Sequence, residues 1–261
     1  MTPAAAPAAA ELAAPPGWRA VDCLSDLHLE AEVPQTLALL QGHLQATPAD
    51  AVFILGDLFE VWVGDDAIDE PGSFEAQACE VLRQAAQRLP LYFMHGNRDF
   101  LVGPAFARHT GVTLLPDPTV LALAGRRWLL THGDALCLDD VQYQRFRALS
   151  RHPTWQAQLL ARPLAERRAT GRSARADSQA RKDAGTAVYA DVDPGAALAW
   201  LLAARADALI HGHTHLPADH ALGPAGTRHV LTDWEPAASP PRAGVLRLTA
   251  QGSHRLPLAR P

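Results

Sequence analysis

Five short segments carry the residues able to do chemistry: Asp26-Leu27-His28, Gly56-Asp57, Gly96-Asn97-Arg98-Asp99, His132-Gly133-Asp134 and His211-Gly212-His213-Thr214-His215. They offer carboxylate, imidazole and amide oxygen, and no thiolate. That donor set suits Mn²⁺, Fe²⁺ or Zn²⁺ better than copper or an iron–sulfur cluster. Brought together, the five segments would cage two divalent cations. Two metals about 3.5–4 Å apart need a shared ligand, which a carboxylate supplies best, and Asp57 is the candidate for that bridge. Gly56, Gly96, Gly133 and Gly212 stand beside these donors, where a missing Cβ lets backbone come close to the metals. Each segment alone is weak, since a strand-end Asp is commonly a helix cap and a single His an ordinary core or surface residue. The signal is the ordered set.

The elements that must position these groups are legible as alternating strands and helices. Strands are expected at residues 19–24, 51–55, 91–94, 120–123, 128–131 and 208–210, with closing strands near 229 and at 245–248. Residues 51–55 (AVFIL) form a wholly apolar run, as in a strand buried on both faces. Helices are expected at 34–46, from Ser73 through Leu89, near Phe106, as one long stretch from Asp139 to about Lys182, and at 195–205. Four of the five segments follow these apolar strands directly and the fifth begins at residue 26, where the first strand ends. Ligands of α/β sheets gather at strand carboxyl ends. The pattern predicts an α/β sandwich with a mixed sheet.

Composition bounds the rest. The chain has 261 residues, 48% apolar and 20% charged, which argues against disorder, collagen and coiled coil. No run of about 18 apolar residues is present to span a membrane as a helix. A net charge of −5 argues against a globally basic nucleic-acid binder. Cys23, Cys79 and Cys137 are too sparse for a disulfide framework and read as small core residues in a reducing cytosol. Residues 1–16 are rich in Ala and Pro without a basic start, so a disordered tail is expected before a domain over 17–261, rather than a signal peptide. Residues 141–185 hold ten basic and three acidic residues, a net +7 against −12 for the remainder. Within them Trp155, Leu159, Leu160 and Leu164 could share one helical face among arginines. This reads either as a helical excursion with a solvated basic side or as a cap meeting an anionic, greasy substrate or a lipid surface.

The ordered set D-x-H, G-D, G-N-x-D, H-G-D and G-H-x-H resembles the calcineurin-like metallophosphoesterase superfamily over roughly residues 21–248. The resemblance implies a four-layer αββα sandwich around a di-metal centre. By it, Asp26, His28, Asp57 and His215 hold one metal, while Asp57, Asn97, His132 and His213 hold the other. Metal-activated water would then attack phosphorus in line. Most superfamily members carry His after the Asn of G-N-x-D, a proton donor for an alkoxide leaving group, whereas Arg98 stands here. Arginine cannot donate a proton at neutral pH but can clamp phosphate oxygens. That choice suits a leaving group that is itself a phosphate, hence a diphosphate substrate.

The longer strings SDLHL, ILGDLFEVWVGDD, HGNRDFLVG, THGDALCLDDVQYQRFR and HGHTHLP resemble the branch that cleaves the diphosphate of a diacylated UDP-glucosamine in lipid A biosynthesis. That likeness implies two Mn²⁺ per chain, a helical cap at about 139–185 holding the acyl chains, and release of UMP and a diacyl sugar 1-phosphate. Catalysis would fall to Asn97, Arg98 and His213, with Asp140, Tyr143, Ser178, Lys182 and Gly185 joining them in substrate binding. Lys182 stands where the branch often has Asn and Gly185 where it often has Lys, so Lys182 is expected to take over a phosphate contact. Asp65, Asp66, Asp99, Asp134 and His211 are read as supporting residues. The expected protein is a monomer at the cytoplasmic face of the bacterial inner membrane, peripheral and without a nucleic-acid partner. A phosphodiesterase or nuclease on nucleotides is the rival activity, disfavoured by Arg98 and the acidic charge. A non-catalytic scaffold is disfavoured because all seven candidate ligands are present.

Overall fold

The computed structural model describes residues 6–183 and 191–258. Two six-stranded sheets pack face to face. The strands, in chain order, are β1 (Ala10–Ala13), β2 (Ala20–Leu24), β3 (Ala51–Leu55), β4 (Leu91–Met94), β5 (Thr113–Leu115), β6 (Thr119–Leu123), β7 (Arg126–Leu130), β8 (Ala208–His211), β9 (Asp219–Ala221), β10 (Thr227–Val230), β11 (Gly244–Thr249) and β12 (Gly252–Pro257). One sheet runs β12-β11-β2-β3-β4-β5 and the other β1-β6-β7-β8-β10-β9. β2 to β5 are parallel, and β7, β8 and β10 are parallel in the second sheet.

The alternation within β3 explains the layers. Ala51, Phe53 and Leu55 face the second sheet, where they meet Leu121, Trp128, Leu130 and Ile210. Val52 and Ile54 face outward, into a core with Leu40, Leu44, Cys79 and Leu82 from helices α1 (Pro34–Ala46) and α2 (Phe74–Ala86). Both faces are covered, so the whole strand is apolar and buried. A large side chain buried this way contributes about 1.5–3 kcal/mol. Helix α3 (Pro104–Thr110) joins the first outer layer, and α7 (Pro194–Ala203) covers the other sheet through Ala197, Trp200 and Leu201. The architecture is the expected αββα sandwich.

The long helix expected over 139–182 is instead three: α4 (Val141–Ser150), α5 (Pro153–Leu160) and α6 (Leu164–Asp183). Pro153 and Pro163 set the breaks, because proline cannot supply the amide that continues a helix. The apolar face read from Trp155 to Leu164 is therefore split. Trp155 packs on Phe100 and Phe146, Leu159 packs on the main core, Leu160 is 41% exposed, and Leu164 belongs to the next helix.

The disordered tail expected over 1–16 is corrected at residues 10–13. β1 pairs in parallel with Thr119–Ala122 of β6, Leu12 packs on the inter-sheet core, and Glu11 pairs with Arg127 at 2.8 Å. The alanine-rich composition hides a period-two pattern carried by one leucine and one glutamate. The edge strands β5, β9 and β12 are likewise hidden in the sequence, the first two being only three residues long and β12 lacking an apolar run.

Candidate metal centre

Every chemical segment sits just past the carboxyl end of a strand. Asp26 follows β2, Asp57 follows β3, Asn97 follows β4, His132 follows β7, and His213 follows β8. Three donors come from one sheet and two from the other. The two sheets are stitched at this end by His132 Nδ1 on Leu55 O at 2.9 Å and by His213 N–H on Asp26 Oδ2 at 3.0 Å, while Thr131 N–H to Ile210 O and Gly212 N–H to His132 O join the ends of β7 and β8 within one sheet.

The loops bend sharply. Among the described residues, seven non-glycine positions have positive φ, and five of them are candidate ligands: Asp26 (54°), His28 (49°), Asp57 (51°), His213 (67°) and His215 (54°). Such backbone costs of the order of 1–3 kcal/mol per residue and persists only where the surroundings over-determine it. Here they do so through Asp26 N–H on Gly56 O, and through Leu27 and His28 N–H on Asp57 O, at 2.9–3.1 Å. Gly56, at φ 90°, has no room for a Cβ, which would strike the His132 ring and the Gly96 backbone. A Cβ on Gly212 would strike the carboxylate of Asp26.

The candidate donors lie close together. Donor atoms of Asp26, His28 and His215 lie within 4.8 Å of one another, and so do those of Asp26, Asp57 and His132. Asp57 Oδ2 is 3.8 Å from His28 Nε2 and Asp57 Oδ1 is 3.7 Å from His132 Nε2, so its two oxygens face the two groups. Asn97 Oδ1 joins the second group, 3.0 Å from His132 Nε2 and 2.7 Å from His213 Nδ1. Asp26, which the sequence reading put with the first metal alone, stands near both groups.

The side chains fit divalent cations. Nε2 of His28 and Nε2 of His215 face each other at 3.3 Å, an arrangement satisfied by a shared proton or a cation between them. His132 donates from Nδ1 to a carbonyl, which turns Nε2 toward Asp57 and Asn97. Burial pulls the His132 pKa down, but the carboxylates of Asp57, Asp134 and Asp26 outweigh it and raise it to about 9 in the metal-free protein. The crowded carboxylates thus draw in a proton where a dication would serve. Burial, then the neighbouring His132 charge, push His213 down to about 4, leaving it neutral and able to ligate.

Supporting residues surround this set. Asp99 accepts from Gly96 N–H (2.8 Å) and Leu58 N–H (2.7 Å), so it ties the Asn97 turn to the Asp57 loop rather than touching the Arg98 side chain. Burial, helped by the nearby Asp57 charge, raises it to about 7. Asp134 accepts from Tyr143 Oη and from Arg147 Nε (2.8 Å), which fastens α4 to the His132 loop. Asp65 accepts from Gly103 and Phe106 N–H at 2.9 Å, and Asp66 pairs with Arg167. His211 is buried with Nδ1 on Gly212 O at 2.7 Å, and burial pushes it down to about 3.

The substrate-side residues gather less completely. Arg98 is half-buried, with its guanidinium 3.7 Å from Glu60 and its amide donating to Asp57 Oδ1 at 2.9 Å. Tyr143 lies beside the site, its ring 5.8 Å from His213. Asp140 caps α4, its Oδ1 accepting from Tyr143 N–H at 2.9 Å. Ser178 and Lys182 fall on the last turns of α6 but their side chains lie outside the described residues, as does the whole of Gly185.

Sequence reasoning missed three residues. Glu60 lies 2.7 Å from His28 Nδ1, and Arg175 reaches Glu60 at 3.1 Å from α6. Asp233, buried, lies 3.8 Å from His215 Nδ1 and is held by Arg242 at 2.7 Å. The one available signal was the charge of Glu60 inside the apolar run LFEVW.

The fold and this clustering define a metal-dependent phosphoesterase. The calcineurin-like phosphoesterase family matches residues 20–217, and the chain belongs to it. It is a hydrolase. Over 247 residues it is 46% identical to UDP-2,3-diacylglucosamine hydrolase of Chromobacterium violaceum, covering 92% of this chain and 99% of that one. The protein of the same name from Bordetella pertussis is 45% identical over 234 residues, covering 87% of this chain and 91% of that one.

Proposed function

We propose that this chain hydrolyses the diphosphate of UDP-2,3-diacylglucosamine, by attack of water on the α-phosphorus, to give UMP and 2,3-diacylglucosamine 1-phosphate. The observation that carries the reading is Arg98. It stands beside Asn97 and Asp57, at the position where a proton donor would serve an alkoxide, in a chain 46% identical to hydrolases of that name. In the bond change, water oxygen joins the α-phosphorus and the bridging oxygen leaves with the β-phosphate. That leaving group is already anionic, so a fixed guanidinium serves it better than an acid.

Asp26, His28, Asp57 and His215 would hold one divalent cation, and Asp57, Asn97, His132 and His213 would hold the other, with Mn²⁺ the expected metal. Bound cations supply the Lewis acidity that activates water and neutralises charge on the phosphoryl oxygens. Asn97, Arg98 and His213 orient the diphosphate, and the start of α4 with Asp140 and Tyr143 borders it. Ser178, Lys182 and Gly185 complete the binding surface from α6 and the chain after it.

The cap is the seat of the acyl chains. Among the described residues, five of the seven exposed large hydrophobics fall within 138–160: Leu138, Val141, Phe146, Leu149 and Leu160. No helix among the described residues is long and apolar enough to cross a membrane. An apolar edge of this kind supports peripheral membrane contact; the expected setting is a monomer at the cytoplasmic face of the inner membrane.

The test is an assay with UDP-2,3-diacylglucosamine, with Mn²⁺ and with chelator. Metal-dependent UMP release, absent with UDP-N-acetylglucosamine, is expected. No turnover with metal bound would overturn the substrate. Flotation with anionic vesicles tests the membrane contact, and protein left wholly in the dense fraction at low salt would count against it.

A further inference from the structure

Glu60 lies three residues beyond Asp57, on the same loop, with its side chain 13% exposed. Three cationic or ligating groups converge on it from separate parts of the chain. His28 Nδ1 lies 2.7 Å from Oε2, Arg98 Nη1 lies 3.7 Å from Oε1, and Arg175 Nε of α6 lies 3.1 Å from Oε1. The two oxygens thus divide their work between the imidazole and the guanidiniums. The Glu60 backbone is itself fixed, its N–H donating to Leu29 O at 3.2 Å beside the bridge that pairs Leu29 with Phe59. Arg175 is held from a second side by Glu30, at 2.6 Å.

A buried glutamate needs a countercharge, and a single arginine would meet that need. The arrangement does more than that. A carboxylate on the distal nitrogen of a liganding imidazole fixes its tautomer, turns the other nitrogen to the metal and raises its basicity. Here the same carboxylate also seats the cap helix. Resting on the metal-centre reading above, we propose that Glu60 is a positioning residue that couples the seating of α6 to the metal-binding geometry of His28. Energetic linkage of this kind runs both ways: what loosens one partner of Glu60 loosens the other.

The test compares Glu60→Gln with Glu30→Gln in the full chain, using Mn²⁺ titration calorimetry and amide hydrogen exchange. Glu60→Gln is expected to weaken Mn²⁺ binding about 10–100-fold and to speed exchange across the first turns of α6. Glu30→Gln loosens Arg175 without touching His28, so it is expected to speed exchange in α6 and, through Glu60, to weaken Mn²⁺ binding by a smaller factor; faster exchange with unchanged Mn²⁺ affinity would overturn the coupling. Glu60→Asp keeps the charge but withdraws it by a methylene, and gives both losses in lesser degree if the glutamine variant does not fold. Wild-type protein that binds no Mn²⁺ would remove the metal-centre reading and this inference together. Wild-type protein that binds Mn²⁺ no better than Glu60→Gln would overturn this inference alone.

Discussion

The sandwich and the cap are held by different forces. Every residue of β3 is buried, while α4 buries only Ser150 and α5 buries none. Apart from Trp155 on Phe100 and Leu159 on the main core, the segment over 141–183 is fastened by charge. Arg147 binds Asp134, Arg167 binds Asp66 and the Val63 carbonyl, Arg168 binds Glu70 and Glu75, and Arg175 binds Glu30 and Glu60. Much of the basic excess of this segment is therefore answered inside the molecule, by Glu60, Asp66 and Glu70 after β3 together with Glu30, Glu75 and Asp134, rather than presented to a ligand. The more exposed pairs, such as Arg168 with Glu70, contribute about 0–1 kcal/mol each, and with so little apolar burial in α4 and α5 this segment is expected to open at lower free energy than the sheets. On the proposed function, a rigid metal centre beside a more adaptable, apolar-edged segment would suit a substrate with a compact diphosphate and two long chains.

The largest expected effect breaks the rigid side. Asp57→Ala removes the shared carboxylate, and metal content and turnover are expected to fall together to the chelated background. Retained metal with normal turnover would refute the bridge. Arg98→Ala comes next. Bound Mn²⁺ is expected to stay at the wild-type level while kcat falls about 10²–10³-fold, as for loss of one charge-stabilising donor.

The third prediction concerns stability far from the site. Asp22 is fully buried, on Arg247 at 2.7 Å and Thr47 at 2.6 Å. Burial raises its pKa, but Arg247, His43 and Thr47 outweigh that and hold it well below the ordinary 3.8. A depressed carboxylate contributes stability that is present above its unfolded pKa and lost as pH falls through the folded one. Asp22→Asn is expected to lose about 3 kcal/mol at pH 7, with a smaller deficit in urea melts at pH 3. A deficit that does not change with pH would mean the ion pair is not its source. The smallest effect sharpens the contrast. Raising NaCl to about 1 M shortens the Debye length to about 3 Å and is expected to speed hydrogen exchange in α6 several-fold while leaving β3 unchanged. Equal exchange in both would erase the distinction between the two regions.

What was legible follows the same division. Asp26, Asp57, Asn97, His132 and His213 each follow a strand whose apolar run is plain in the sequence, so their meeting was readable from strand order alone. The cap was readable only as a charged helical stretch. Its three-helix path follows from Pro153 and Pro163, but its seat depends on which acid each arginine reaches. Arg175 and Glu30 are 145 residues apart, and no local pattern pairs them.

By itself the sequence determined the donor types, their places after buried strands, the layered fold and the substitution of Arg98 for a proton donor. These are local, set by residue identity and by periods of two and 3.6. Only the tertiary structure decided that β1 joins a sheet, that five candidate ligands sit at positive φ, and that Glu60 and Asp233 lie beside His28 and His215. Those facts depend on loops from both sheets meeting at one end. His28 and His215 lie 187 residues apart and come within 3.3 Å only because strand order brings them there.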